Sequence, residues 1–212
     1  MITTILAAIA VAMGATVLVL TIKLRHARAE QSQLQRHVAG LKKSERLLKA
    51  HAYYDSLTGL ANRSLLADRF GLALEHSKRS QKQFAVLMVD LNHFKAINDN
   101  YGHAAGDLVL VTVAGRLVDA VRASDTVARL GGDEFALIIE SIEERRQVAA
   151  LGQKLIDVLS EKVTLETGVI VSVGGSIGFA CYPEDGQSMK EILEVADQAM
   201  YFSRTSGMMP LY

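Results

Sequence analysis

The chain has 212 residues, half of them apolar, a length that supports one core plus an appendage and not two full domains. Its 23 Lys/Arg balance its 23 Asp/Glu, but residues 1–50 hold 8 basic against 2 acidic side chains and residues 51–212 hold 15 against 21, so the larger part lacks the basic face of a nucleic-acid-binding module. The lone Cys181 excludes an intrachain disulfide framework and points to a reducing compartment.

Residues 2–22 contain no charged side chain and as a helix would be about 30 Å long, the hydrocarbon thickness of a bilayer. A core helix would show a polar stripe, and a signal peptide would carry basic residues ahead of a shorter apolar run. The expectation is a retained transmembrane helix over 1–22. Lys23, Arg25 and Arg28 follow at once, which puts the rest of the chain in the cytoplasm. Residues 23–52 are polar and rich in helix formers, a helical stalk. Leu34, Val38, Leu41 and Leu48 fall at heptad spacing, interrupted by Glu45, so a weak parallel coiled coil and a solvated helix both fit.

The domain over 53–212 opens with DSLTGLANRSLL, a loop leading into a helix that runs to about Ser80. The apolar run Phe84–Val89 predicts a buried strand ending at Asp90. A helix near Phe94–Asp99, a loop over 102–106 and a helix over Asp107–Ala123 follow. Val127–Leu130 and Phe135–Glu140 form a hairpin, and Ser141–Ser160 a helix whose acidic first turn suits its dipole. Val169–Val173 and Ser176–Ala180 supply further strand, and Ser188–Ser203 a final amphipathic helix. This order predicts an α/β (α+β) fold, a mixed sheet with helices packed on it.

The hairpin turn is chemically odd, because Gly131 and Gly132 are followed by two adjacent acids, Asp133 and Glu134. Should the strand ending at Asp90 lie beside it, three carboxylates would gather at one edge. Such a cluster implies a cation or a raised pKa, and hard oxygen donors suit Mg²⁺ held together with substrate phosphates. The two glycines allow positive φ and the close approach of a nucleotide. Taken singly, a capping Asp and an ordinary turn explain the same residues.

Five ordered blocks, DSLTGLANR, DLNHFKAINDNYGHAAGD, RLGGDEF, SIGFACYPEDG and ADQAMYFSR, resemble the GGDEF-domain family of diguanylate cyclases over about Asp55–Gly207. The resemblance implies a central, mostly antiparallel sheet surrounded by helices, similar to nucleotide cyclases and polymerase palms. It implies an enzyme that condenses two GTP into cyclic di-GMP, with one GTP per protomer of a homodimer and Mg²⁺, or Mn²⁺ in its place. Asp90, Asp133 and the Leu91 carbonyl match the metal ligands, and Glu134 the acid that binds metal or deprotonates the attacking hydroxyl. His93, Phe94 and Lys95 match the triphosphate turn, with Gly131 and Gly132 beside the nucleotide. Asn98 and Asp107 match the guanine readers, and Arg122 with Asp125 an RxxD site where cyclic di-GMP inhibits. A bacterial inner-membrane protein, single-pass with a cytoplasmic catalytic domain, follows.

Three positions depart from the family pattern. Arg204 stands where a phosphate-binding Lys is usual, Met208 where a second basic residue is expected, and Asn92 where Asp is common. A non-catalytic domain that binds GTP or cyclic di-GMP is the rival expectation. A membrane-anchored scaffold would leave Asn98 and Asp107 without a purpose.

Overall fold

The computed structural model describes residues 51–206 throughout and, before them, residues 2, 13, 14, 16, 20, 21, 23, 25, 31, 33–38 and 40. The chain divides into two units, Met1–Ala50 and His51–Tyr212. In the first unit the described positions are helical and solvent-exposed, Leu34 and Val38 among them. Most of the expected membrane span and much of the stalk lie outside the described residues. Among the described residues no helix is long and apolar enough to cross a membrane.

The second unit begins with a small hairpin in which Tyr54 pairs with Ala61. Asn62 then caps helix α1 (Arg63–Ser80), its side chain accepting from the Ser64 and Leu65 amides. The central strand is β1 (Gln83–Asn92), whose eight inner residues are buried. Two helices follow in close succession, α2 (Phe94–Tyr101) and α3 (His103–Ala120), then the hairpin β2 (Thr126–Gly131) and β3 (Glu134–Ile142). Helix α4 (Arg145–Leu159), a short ribbon of β4 (Val163–Thr164) with β5 (Ile170–Val171), strand β6 (Gly174–Tyr182) and helix α5 (Met189–Ser206) complete the order.

The four-stranded sheet runs β2-β3-β1-β6, and every ladder in it is antiparallel. The mixed sheet expected from element order is therefore replaced by the antiparallel one that the resemblance implied; a single parallel bridge, Ala61 to Ala128, seats the opening hairpin on edge strand β2. Alternation along β1 sends Leu87, Val89 and Leu91 to one face, packed with Val109, Val113 and Leu117 of α3 and Leu155 and Leu159 of α4. Phe84, Val86 and Met88 go to the other face, against Leu66 and Phe70 of α1 and Ile192, Ala196 and Met200 of α5. Helices cover both faces, which is why β1 reads as an unbroken apolar run and not as an alternating one.

Several boundaries differ from expectation. Residues 103–106 are the first turn of α3 and not a loop: Gly102, at φ +84°, ends α2, and the next helix begins at once. Ser141 and Ile142 extend β3, where Ile142 pairs with Gln83, so α4 starts only at Arg145 and carries no acid in its first turn. Strand β5 falls inside the expected run Val169–Val173, whereas its antiparallel partner β4 was not anticipated.

Candidate functional site

Asp90 lies near the end of β1, only 8 % exposed, directly across from Glu134 in the β1–β3 ladder. The next amide, Leu91 N–H, donates to the Asp133 carbonyl at 3.2 Å. Sheet register thus brings Asp90, Leu91, Asp133 and Glu134 together, 43 residues apart in sequence yet adjacent in space. Burial raises the Asp90 carboxyl above its ordinary value; Arg204 opposes that rise, while the Asp133, Glu134 and Asp197 carboxylates add to it. Arg204 Nη1 donates to Asp90 Oδ1 at 3.0 Å from the last turn of α5, so the guanidinium expected at a phosphate sits on a carboxylate of the cluster. Among the described residues no three His, Cys, Asp or Glu side chains are drawn close enough to hold a metal ion by themselves. Two carboxylates and a carbonyl completed by substrate oxygens are the donor set Mg²⁺ commonly takes, and these residues fit that chemistry.

The turn between β2 and β3 is built from left-handed backbone: Gly131 has φ +145° and Gly132 φ +54°. No heavy atom outside the turn comes within 4 Å of where a Cβ would stand on either glycine, so glycine serves the backbone angles here and leaves open space before the acids.

Beyond β1, His93 precedes α2 at φ +60° and gives it no side-chain cap. In this first turn the Ala96 amide donates to the His93 carbonyl at 3.0 Å, and Lys95 beside it is exposed. The Phe94 side chain is buried in the core, so of this residue only the backbone is available to a ligand. Asn98 lies one turn further along α2. A Cβ on Gly106 would come within 2.0 Å of Asn98 Oδ1, so Gly106 is the seat of that amide and sets it beside exposed Asp107, the next residue of α3.

Arg122 and Asp125 lie at the opposite end of the β2–β3 hairpin. Asp125 Oδ2 accepts from the Arg122 amide at 2.9 Å and Oδ1 from the Glu140 amide at 3.2 Å. Glu140 is six residues from Glu134 on β3, about 20 Å along the strand. A cavity of about 230 Å³ opens here, lined by Arg122, Asp125, Glu140, Ser141 and Gln147 among others. Asp125 is thus bound to backbone, and exposed Arg122 supplies the free hydrogen-bonding head.

One part of the site was not singled out from sequence. Arg129 donates to the Gly132 carbonyl through Nε at 3.1 Å and Nη2 at 2.8 Å, and through Nη1 to Asp55 Oδ1 at 3.1 Å. Both residues stand in the quoted blocks, but nothing local joins them.

The family profile described as diguanylate cyclase, GGDEF domain, matches residues 52–210. A bifunctional diguanylate cyclase/cyclic di-GMP phosphodiesterase, MucR of Pseudomonas aeruginosa, is 46% identical over 167 residues, covering 79% of this chain and 24% of that protein. The diguanylate cyclase TpbB of the same organism is 38% identical over 172 residues, 81% of this chain and 40% of its own length. The chain therefore spans between a quarter and two fifths of these curated relatives. Among solved structures, the GGDEF domain of TpbB superposes with TM-score 0.70 at 40% identity, over 73% of this chain and 90% of that one. The coiled coil and GGDEF domain of DgcB from Caulobacter crescentus, in complex with c-di-GMP, gives TM-score 0.75 at 28% identity, over 85% and 95% of the two chains.

Proposed function

The chain belongs to the GGDEF domain family of diguanylate cyclases, and from that premise we propose that it condenses two GTP into cyclic di-GMP with release of two pyrophosphates. The observation that carries this reading is the meeting of Asp90, Asp133 and Glu134 where β1 borders an open glycine turn. In each of two equivalent steps a 3′-oxygen of one GTP bonds the α-phosphorus of the other, the bond to the β-phosphate bridge breaks, and pyrophosphate leaves. Glu134 stands where it can take the 3′-hydroxyl proton. The amides of His93 to Lys95, with the Lys95 ammonium, receive the triphosphate, while Asn98 and Asp107 pair with the guanine edge. Arg204 brings a guanidinium that can exchange Asp90 for a phosphate oxygen. Asp90, Asp133 and the Leu91 carbonyl would hold Mg²⁺, or Mn²⁺, which when bound neutralises triphosphate charge and acidifies the attacking hydroxyl.

Two GTP must face each other, so a homodimer is part of the reading. The exposed Leu34 and Val38 support a paired stalk, as does the likeness to the coiled coil and GGDEF domain of DgcB. An anchor at residues 2–22, holding the domain on the cytoplasmic face of a bacterial inner membrane, would raise the encounter rate of two copies; its support is the uncharged run in the sequence. Cyclic di-GMP is the expected inhibitor at Arg122. The second reading, a silent domain that binds GTP or cyclic di-GMP as a receptor, is favoured by one specific observation: Arg204 is engaged by Asp90. The chain incubated with GTP and Mg²⁺ is expected to yield cyclic di-GMP and pyrophosphate; GTP binding by a folded dimer without either product would establish the receptor instead.

A further inference from the structure

Arg129 is 11 % exposed and its partner Asp55 22 %, a half-buried pairing of two charged side chains. Asp55 is itself fixed: its Oδ1 accepts from the Thr58 amide at 2.8 Å and the Thr58 hydroxyl at 2.6 Å, and its own amide donates to the Leu60 carbonyl at 2.8 Å. The same hairpin grips Arg129 by its backbone, the Arg129 amide donating to the Ala61 carbonyl at 2.9 Å. Arg129 is thus seated from both sides before its guanidinium reaches the turn.

The turn has little to hold it. Gly131 and Gly132 meet no packing atoms at the Cβ position, and glycine restrains its own backbone least of all residues. What fixes the backbone on either side of Asp133 is a grip from two directions: Nε and Nη2 of Arg129 on the Gly132 carbonyl, and the Leu91 amide on the Asp133 carbonyl. Two charge-assisted donors on one oxygen and a third on Asp55 use the planar fork of a guanidinium, which an ammonium cannot reproduce.

We propose that Arg129 is a positioning residue for the cyclase reaction: it clamps the turn that presents Asp133 and Glu134 to Asp55 of the opening hairpin. The proposal rests on the cyclase reading of the site. Arg129 touches no substrate in this account; it acts through the Gly132 carbonyl, and the guanine contacts at Asn98 and Asp107 stand on other elements.

The test is R129K in the full chain. Lysine keeps the charge opposite Asp55 and loses the fork on Gly132, so melting temperature and KM for GTP should stay close to wild type while kcat falls about tenfold or more, as a small misplacement of reacting groups requires. Amide exchange should quicken in a peptide spanning residues 130–134 and stay unchanged in one spanning 176–182. R129A should lose more of both. Wild-type kcat in R129K overturns the proposal, and so does exchange that rises equally across the sheet, which would make Arg129 a residue of the fold. Should the wild-type chain form no cyclic di-GMP, the cyclase reading falls, while unchanged exchange at 130–134 in R129K would still overturn the clamp by itself.

Discussion

The two ends of the β2–β3 hairpin hold acidic side chains in opposite circumstances. At the Asp125 end both carboxylate oxygens are occupied by backbone amides, from Arg122 and Glu140. At the turn end burial raises the Asp90 carboxyl, the half-exposed Arg204 opposes that rise, and the charges of nearby Asp133 and Glu134 add to it. An acid whose lone pairs are spent on backbone has a structural job, whereas acids left repelling one another are kept for a partner that brings positive charge. The contrast assigns chemistry to the turn and architecture to Asp125, and it leaves Arg122 as the residue with which the far end can meet a phosphate.

The largest effect expected from breaking this contrast is at the turn. Asp133→Asn removes one charge from the crowded end and should lower turnover by at least about 100-fold, the scale for removing one transition-state charge contact. It should leave melting temperature unchanged or higher, because a repulsion is relieved. Cyclic di-GMP release followed beside a thermal melt checks both; turnover within a few-fold of wild type would show that Asp133 holds no metal.

At the other end the signs reverse. Asp125→Ala strands two backbone amides and should cost about 1–3 kcal/mol of stability in a denaturant titration. Arg122→Ala, whose side chain is exposed, should leave stability and initial rate alone and relieve inhibition by added cyclic di-GMP. Equal stability losses in the two variants would erase the distinction between them.

A smaller effect tests the guanine side. Gly106→Ala forces a methyl into the space of Asn98 Oδ1, so the amide must swing away, and KM for GTP should rise about tenfold, the cost of one lost hydrogen bond in a site built for it. An unchanged KM, measured with kcat, would remove Asn98 from the guanine contacts.

What could be read from sequence was local. The paired acids, the two glycines and the strand ending at Asp90 announce themselves within a few residues, and the helices α1 and α5 fall within a few residues of expectation. The adjacency of Asp90 and Glu134 depends on register, and a strand buried on both faces carries no period-two signal from which to read its neighbours. Gly102 to Gly106 looked like a loop because two glycines usually mean one; Gly106 instead lies inside α3, where its missing side chain makes room for Asn98. The Arg129–Asp55 contact spans 74 residues, and only the fold brings its ends together.

Asp55 completes the contrast from a third position, since it is an acid whose cation, Arg129, is itself seated by the fold. Burial works against its charged form, but the Thr58 hydroxyl and amide and the Arg129 guanidinium outweigh burial and hold its carboxyl below the ordinary value. A carboxyl depressed in the folded state stabilises above its unfolded pKa, about 3.9, and that contribution is lost as pH falls through the lower folded value. Asp55→Asn keeps the acceptor for Thr58 and removes the titration. Thermal melts of the two proteins should therefore differ most above about pH 5, with wild type the more stable, and converge as the pH falls through the lower folded value. A gap that persisted unchanged in acid would mean that the Asp55 charge contributes nothing to holding Arg129, and that the turn is fixed by the fork on Gly132 alone.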